Sequence, residues 1–166
     1  MKQWVVRWWG LVARLLVGGV WIAAGLAKLP DPSGSVRAVR AYDLLPESVV
    51  PTVGHTLPIL ELVVGACLVL GLLTRPMSLV SALLFLAFVV GISAAWARGL
   101  QIDCGCFGGG GFDADATSKY PWEIARDVGL FLLSALLVWR PRTPWSADAL
   151  LFPANDDSLE GQPSPT

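Results

Sequence analysis

The sequence predicts an all-α, polytopic membrane protein built as a bundle of four transmembrane helices. Of its 166 residues, 54% are hydrophobic and only 15% are charged. The mean hydropathy of +0.60 is also unlike that of an ordinary soluble domain. Apolar stretches recur at about 8–29, 50–73, 77–97 and 122–139. At about 1.5 Å per helical residue, these lengths match a hydrocarbon core of ~30 Å.

The first span follows a basic and aromatic flank, residues 1–9, of the kind found where a helix enters the bilayer from the cytoplasm. Arg14 and Lys28 interrupt its apolar sequence. Together with Trp21 they recur every seven residues, so they share one helix face, which is expected to face protein rather than lipid. A cleaved signal peptide is the alternative, with Gly25-Leu26-Ala27 as the cleavage site.

A connecting segment, 31–47, is expected to form a short surface helix capped by Ser35. The second span follows and contains Glu61. A carboxylate within a membrane is costly unless it is paired, protonated or beside a polar cavity, so Glu61 is a functional candidate. Cys67, in the same helix, is expected to be a small buried hydrophobe.

The third span is free of charge, and the turn before it is so short that the second and third spans should form an antiparallel hairpin. The fourth span must include Glu123, Arg126 and Asp127. These lie at i, i+3 and i+4, so their charges can neutralise each other on one face. The membrane domain is therefore assigned to 1–143, and the acidic, proline-containing tail 144–166 is predicted to be disordered and cytoplasmic.

A glycine-rich loop between the third and fourth spans carries the candidate site. In Cys104-Gly105-Cys106-Phe107, a single glycine separates two thiols and gives the backbone the freedom to close a small ring. A disulfide in so short a loop should be strained and readily reduced, which suits electron transfer better than structural support. A static bridge and capture of a soft metal ion such as Cu(I) are the alternatives.

Positive charge is shared between the two sides of the predicted bundle, and the basic start of the first helix favours cytoplasmic termini and an extracytoplasmic cysteine loop. Disulfide chemistry favours the same orientation. Charged side chains would then surround the two thiols at the outer ends of the spans: Lys28, Glu61, Glu123, Arg126 and Asp127. Lys28 or Arg126 would lower the pKa of a thiol, and Glu61 would relay a proton.

Other classes of function are disfavoured by composition. The net charge of −1 gives no basic surface for nucleic acid. The glycines after Phe107 follow no predicted strand and open no helix, so they do not form a phosphate-binding loop. Three cysteines and one histidine are too few and too scattered for a zinc site, and no metal is assigned.

The sequence resembles a known membrane family. Its first helix and exit contain Arg14-Leu15-Leu16-Val17-Gly18-Gly19 and Gly25-Leu26-Ala27-Lys28-Leu29, followed by Tyr42-Asp43-Leu44-Leu45-Pro46. These stretches resemble the DoxX-like membrane proteins. Leu57-Pro58-Ile59-Leu60-Glu61-Leu62-Val63-Val64-Gly65 and Cys104-Gly105-Cys106-Phe107-Gly108 narrow the resemblance to the MauE branch, the methylamine-utilisation membrane proteins. It covers about residues 8–140.

The resemblance implies a four-helix inner-membrane protein associated with thiol or disulfide chemistry during maturation of extracytoplasmic proteins, such as methylamine dehydrogenase. The first hypothesis is therefore a thiol-disulfide oxidoreductase in which Cys104 and Cys106 exchange electrons with a thioredoxin-fold partner or a client protein. A single dithiol needs an onward acceptor, and a quinone is the candidate. The rival hypothesis is a non-enzymatic membrane subunit, or a copper-handling protein, with a structural or metal-binding Cys-Gly-Cys.

Overall fold

Five helices form the structure, a computed structural model that describes residues 2–106 and 108–139, with side chains from Trp8 onward. They are α1 (Lys2–Lys28), α2 (Pro32–Ala41), α3 (Val50–Leu70), α4 (Thr74–Ala97) and α5 (Ala116–Trp139). No strand occurs in this part of the chain, in agreement with an all-α class. Phe107 and the predicted tail 144–166 lie outside the described residues.

Three helices are long and apolar enough to cross a membrane: Trp8–Lys28, Val50–Leu70 and Thr74–Ala97. Their outer faces carry exposed leucines and valines, as a lipid-facing surface requires. α5 is not among them, because Glu123, Arg126 and Asp127 interrupt its apolar sequence. The fold is therefore all-helical with three apolar spans, and a fourth span is not established by length and composition.

Several helix boundaries differ from the sequence-based expectation; α4, for example, begins at Thr74 rather than at 77. α3 ends at Leu70 rather than at 73, because Gly71 takes a left-handed conformation at φ +72° and closes the helix. α5 begins at Ala116, six residues before the expected position 122. Its first turn starts early because the Asp113 side chain accepts a hydrogen bond from the Asp115 N–H at 3.0 Å. Pro121 consequently lies inside the helix.

The short surface helix exists, but Ser35 does not cap it. α2 starts after Asp31, whose side chain accepts a hydrogen bond from the Gly34 N–H at 3.0 Å. Hydrogen bonds from Ser33, Arg37 and Gly34 lower the pKa of Asp31 to about 2. Ser35 is instead buried, at 4% exposure, one turn inside the helix. The capping role belongs to Asp31 because its carboxylate precedes the first helical residue, Pro32.

Glycines bring α1 and α3 into close contact. A Cβ atom added to Gly18 would lie 3.0 Å from the Gly65 carbonyl oxygen, and one added to Gly65 would lie 2.8 Å from the Gly18 carbonyl oxygen. Small residues of this kind allow membrane helices to approach closely. α4 packs mainly against α5, and α2 packs against α3. The bundle is thus organised as two tightly packed pairs, although only residues 71–73 join α3 to α4.

Trp21 lies where α1, α4 and α5 meet. Its ring centroid is 4.4 Å from that of Phe85, and its Nε1–H donates to Ser81 Oγ at 2.7 Å. Ser81 in turn is hydrogen-bonded to Ser134 of α5 at 2.9 Å. The prediction that the face bearing Trp21 is turned toward protein is confirmed, because Arg14, Trp21 and Lys28 are at most 3% exposed.

Candidate functional site

Backbone hydrogen bonds close the cysteine loop at its base. The Asp103 N–H donates to the Gly111 carbonyl at 2.9 Å, and the Asp113 N–H donates to the Gln101 carbonyl at 3.1 Å. The chain therefore leaves α4, forms a narrow turn that contains both cysteines, and returns beside itself before α5 begins. This arrangement gives a glycine-rich segment a defined position.

Two tyrosines, the only ones in the chain, hold the loop from opposite sides. The Tyr120 hydroxyl accepts a hydrogen bond from the Ile102 N–H at 3.2 Å and lies 2.8 Å from the Leu100 carbonyl, to which it donates. The Tyr42 hydroxyl donates to the Cys104 carbonyl at 3.1 Å. Sequence reasoning missed both roles, because no local pattern links either tyrosine to the loop.

The glycines of the loop are required by close approach as well as by backbone conformation. Gly105 has φ +68°, and a Cβ atom there would lie 2.6 Å from Ala38 Cβ of α2. At Gly108, with φ +83°, a Cβ atom would lie 2.7 Å from the Ala27 carbonyl oxygen of α1. The loop therefore lies against α2 and the end of α1, and larger residues at these positions would displace it.

The two cysteines are free thiols in different surroundings. Cys106 is 6% exposed, whereas Cys104 is half-buried. The Cys106 N–H donates to Cys104 Sγ at 3.4 Å, which brings the two residues into direct contact. The side-chain hydrogen bond with Cys106, followed by burial, raises the pKa of the Cys104 thiol. This direction is opposite to the one expected from a neighbouring cation.

Charged residues of α5 lie beside the thiols. Glu123 lies near the Cys104 side chain, and its Oε2 is buried with no hydrogen-bond partner in the described part of the chain. Arg126 lines the same small cavity as Cys106, and its Nε–H donates to Asp127 Oδ1 at 2.9 Å. The structure thus places Glu123, rather than Glu61, as the carboxylate beside Cys104.

Lys28 and Glu61 form a buried ion pair between α1 and α3. The Lys28 ammonium lies 2.5 Å from Oε1 and 2.8 Å from Oε2 of Glu61, and the side chains are 3% and 0% exposed. The same ammonium is 5.9 Å from the centroid of the Phe88 ring. The Glu61 carboxylate balances the charge of the Lys28 ammonium, and the pair links α1 to α3. The pair also lies close to the cysteine loop.

Two cavities lie beneath the loop, one beside each cysteine. The larger, of about 310 Å³, is mostly apolar and is lined by Cys104, Lys28 and Tyr42 among others. The smaller, of about 10 Å³, is lined by Cys106 together with Arg126 and other residues of the helical core. Within the described ranges, no three His, Cys, Asp or Glu side chains converge into a metal site.

Comparison with known proteins gives the family. The profile of the family described as "Methylamine utilisation protein MauE" matches residues 6–140, which include all five helices except the start of α1, as well as the cysteine loop. The chain belongs to the MauE family. The resemblance seen in the sequence is thereby confirmed, and with three apolar helices it makes this chain a multi-pass membrane protein.

A relative in the MauE family extends this result. The chain is 34% identical over 103 residues to "Methylamine utilization protein MauE" of Paracoccus denitrificans, an overlap of 61% of this chain and 54% of the relative. It therefore spans about half the length of that relative. No solved structure matches the chain.

Proposed function

We propose that this MauE-family protein is a membrane thiol-disulfide oxidoreductase in which Cys104 and Cys106 exchange electrons with an extracytoplasmic partner. The observation that carries the proposal is the direct contact between two free cysteines, in which the Cys106 N–H donates to Cys104 Sγ, with the Glu123 carboxylate near Cys104. A dithiol held against a potential proton acceptor has the parts that thiol-disulfide exchange requires.

The unequal exposure of the two cysteines suggests their order of action. Cys104, the more exposed, loses its proton to Glu123 and attacks one sulfur of a disulfide in the partner. The partner's S–S bond breaks, its leaving thiolate takes up a proton, and a mixed disulfide with Cys104 remains. Cys106 then attacks the Cys104 sulfur, its thiol proton passes to the partner's second sulfur as that sulfur leaves, and the Cys104–Cys106 disulfide forms. Two electrons have passed to the partner, and the reverse sequence oxidises it.

Four transmembrane spans complete the proposal, with α5 as the fourth, both termini in the cytoplasm and the loop outside. The inward position of the α5 charges supports a spanning α5, since Asp127 is 2% exposed and bound to Arg126. Paired charges facing protein are compatible with a membrane helix. An extracytoplasmic loop places the thiols in a compartment where disulfides persist.

The partner is proposed to be a thioredoxin-fold protein or a client undergoing maturation. The relative's name supports a role in methylamine utilisation, and assembly of a methylamine dehydrogenase-type enzyme would be one such role. In this role the oxidised pair would accept electrons from the client's cysteines and help to form its disulfides.

A trapping experiment tests the proposal. Cys106→Ser leaves Cys104 able to attack a partner but unable to release it, so a mixed disulfide should accumulate in membranes and appear on a non-reducing gel. The Cys104→Ser/Cys106→Ser double variant is the control and should trap nothing. If no thiol buffer changes the redox state of the wild-type pair and Cys106→Ser traps no partner, the bridge is static. Copper that copurifies with the protein would establish the metal-handling alternative.

A further inference from the structure

The larger cavity beneath the loop is bounded by the thiol site on one side and by apolar helix surfaces on the others. Cys104 and Gly105 contribute from the loop, Leu57 from α3, and Phe88 and Gly91 from α4. Its volume of about 310 Å³ is at the lower end of the range of small-molecule sites, which is about 300–1,000 Å³. A single substituted ring fits such a space better than a peptide.

We propose that this cavity binds the ring of a lipid-soluble quinone, which oxidises the Cys104–Cys106 dithiol. This inference rests on the proposed thiol-disulfide function and names the acceptor that the function requires. It commits to a quinone because the cavity combines an apolar lining with a thiol and two hydrogen-bond donors, Lys28 and Ser35; the Ser35 Oγ is buried with no hydrogen-bond partner in the described part of the chain. A quinone ring has two carbonyl oxygens that can accept such hydrogen bonds.

The route into the cavity is apolar. Leu44 and Leu45 line it and are 51% and 42% exposed, so the cavity reaches the protein surface at a hydrophobic edge. On the neighbouring helices, Leu60 of α3 and Leu86 of α4 are 40% and 46% exposed and belong to the lipid-facing surface. On this proposal, the quinone ring enters from the bilayer at this edge, and its isoprenoid tail stays among the lipids.

The reaction balances without any further reagent. The two S–H bonds of the dithiol break, one S–S bond forms, and the two electrons and two protons reduce the quinone to a quinol. Among the described residues, Cys67 does not line the cavity, so there is no second thiol pair there to take the electrons. A quinone accepts the electrons in the thiol-oxidising system of the bacterial periplasm.

Lys28 has the geometry to assist at a quinone oxygen. An ammonium group has three N–H donors, and the two oxygens of Glu61 lie 2.5 and 2.8 Å from the Lys28 nitrogen. A third donor remains for a ligand in the cavity that Lys28 lines. A positive charge there stabilises the negative charge that develops on the quinone oxygen as electrons arrive.

The test uses the full chain, purified in detergent with its dithiol reduced, and decylubiquinone as the probe. Quinol formation is followed by absorbance, and oxidation of the pair by mass. The wild type should form one quinol per disulfide, and the double serine variant none. Ala87→Phe, which fills the cavity from α4, should raise the quinone concentration for half-maximal rate about tenfold or more, the change produced by losing roughly 1.4 kcal/mol of binding.

Leu86→Phe is the matched control, because Leu86 lies beside Ala87 on α4 but outside the cavity lining. It should leave the quinone reaction unchanged. Each variant is also assayed for exchange with glutathione disulfide, so that a misfolded loop is recognised. Equal quinone rates in Ala87→Phe and Leu86→Phe would overturn the cavity assignment. A pair that exchanges with glutathione but never reduces quinone would overturn this inference alone, whereas a pair inert to both would overturn the proposed function too.

Discussion

At the scale of single residues, the two thiols of the loop differ although one glycine separates them. Cys104 is half-buried and lies near Glu123, whereas Cys106 is buried beside Arg126. A raised pKa keeps the Cys104 thiol protonated at neutral pH, so its reactivity depends on a group that removes the proton. Glu123 lies near that thiol, whereas Glu61 is bound to Lys28.

Glu123→Gln should slow alkylation of Cys104 at neutral pH by up to about a hundredfold, the lower end of what a general base contributes. Because the pKa of Cys104 is raised, the thiolate fraction and the rate should increase as pH rises, and the variant should approach the wild type only at high pH. The pH profile of labelling by iodoacetamide in a Cys106→Ser background measures this. Glu47→Gln is the control, because Glu47 forms an exposed ion pair with Arg40. An equal loss of alkylation rate in Glu47→Gln would exclude a specific role for Glu123.

Gly105→Ala should displace the loop from α2. The variant has two penalties. A left-handed backbone costs a non-glycine residue about 1–2 kcal/mol, and the added Cβ atom would lie 2.6 Å from Ala38 Cβ. Gly99→Ala isolates the first penalty, because Gly99 has φ +69° and no atom within 4 Å of an added Cβ. We expect a lower melting temperature and altered thiol labelling for Gly105→Ala, with Ala38→Gly partly restoring both. Equal effects at positions 99 and 105 would contradict the packing of the loop on α2.

At the scale of helices, the buried Lys28–Glu61 pair joins α1 to α3 where glycines already bring them close. Removal of one partner leaves a buried charge uncompensated, which typically costs about 3–5 kcal/mol. Glu61→Gln should therefore lower thermal stability in detergent, even though the loss of a charge favours membrane insertion. Its role as a proton relay remains a prediction, since a carboxylate bound to an ammonium can also be purely structural.

The double variant Lys28→Met/Glu61→Leu separates these roles. Replacing both charges with apolar groups should recover much of the stability lost in Glu61→Gln. If thiol exchange recovers with it, the pair is a structural link; if stability recovers but exchange does not, Glu61 or Lys28 acts in the chemistry. A Glu61→Gln variant as stable as the wild type would contradict the buried pair.

At the scale of the whole molecule, the chemistry depends on which side of the membrane the loop occupies. A membrane-impermeant maleimide, applied to intact cells after mild reduction, should label Cys104 faster than the buried Cys106 and leave Cys67 of α3 unlabelled. The Cys104→Ser/Cys106→Ser variant should give no label from outside. Labelling of the loop only after lysis would place it in the cytoplasm and remove the argument from an oxidising compartment.

The sequence by itself determined the all-helical membrane class, three of the four spans that it predicted, the family and the glycine-rich dithiol. These are local properties, since the hydrocarbon thickness sets span length and the spacing of Cys104 and Cys106 is read directly from the chain. The interruption of the fourth apolar stretch by three charges was also visible, and it is the same feature that separates α5 from the other spans.

The tertiary structure decided which groups meet. Lys28 and Glu61 are 33 residues apart, and Tyr42 lies 62 residues from the Cys104 carbonyl that it binds. Packing also brings Glu123 near Cys104 and forms the cavity beside the loop. Composition determines how apolar a helix is. The rotation and depth at which helices pack then determine which few polar side chains converge, because only contact between those side chains offsets the cost of burying them.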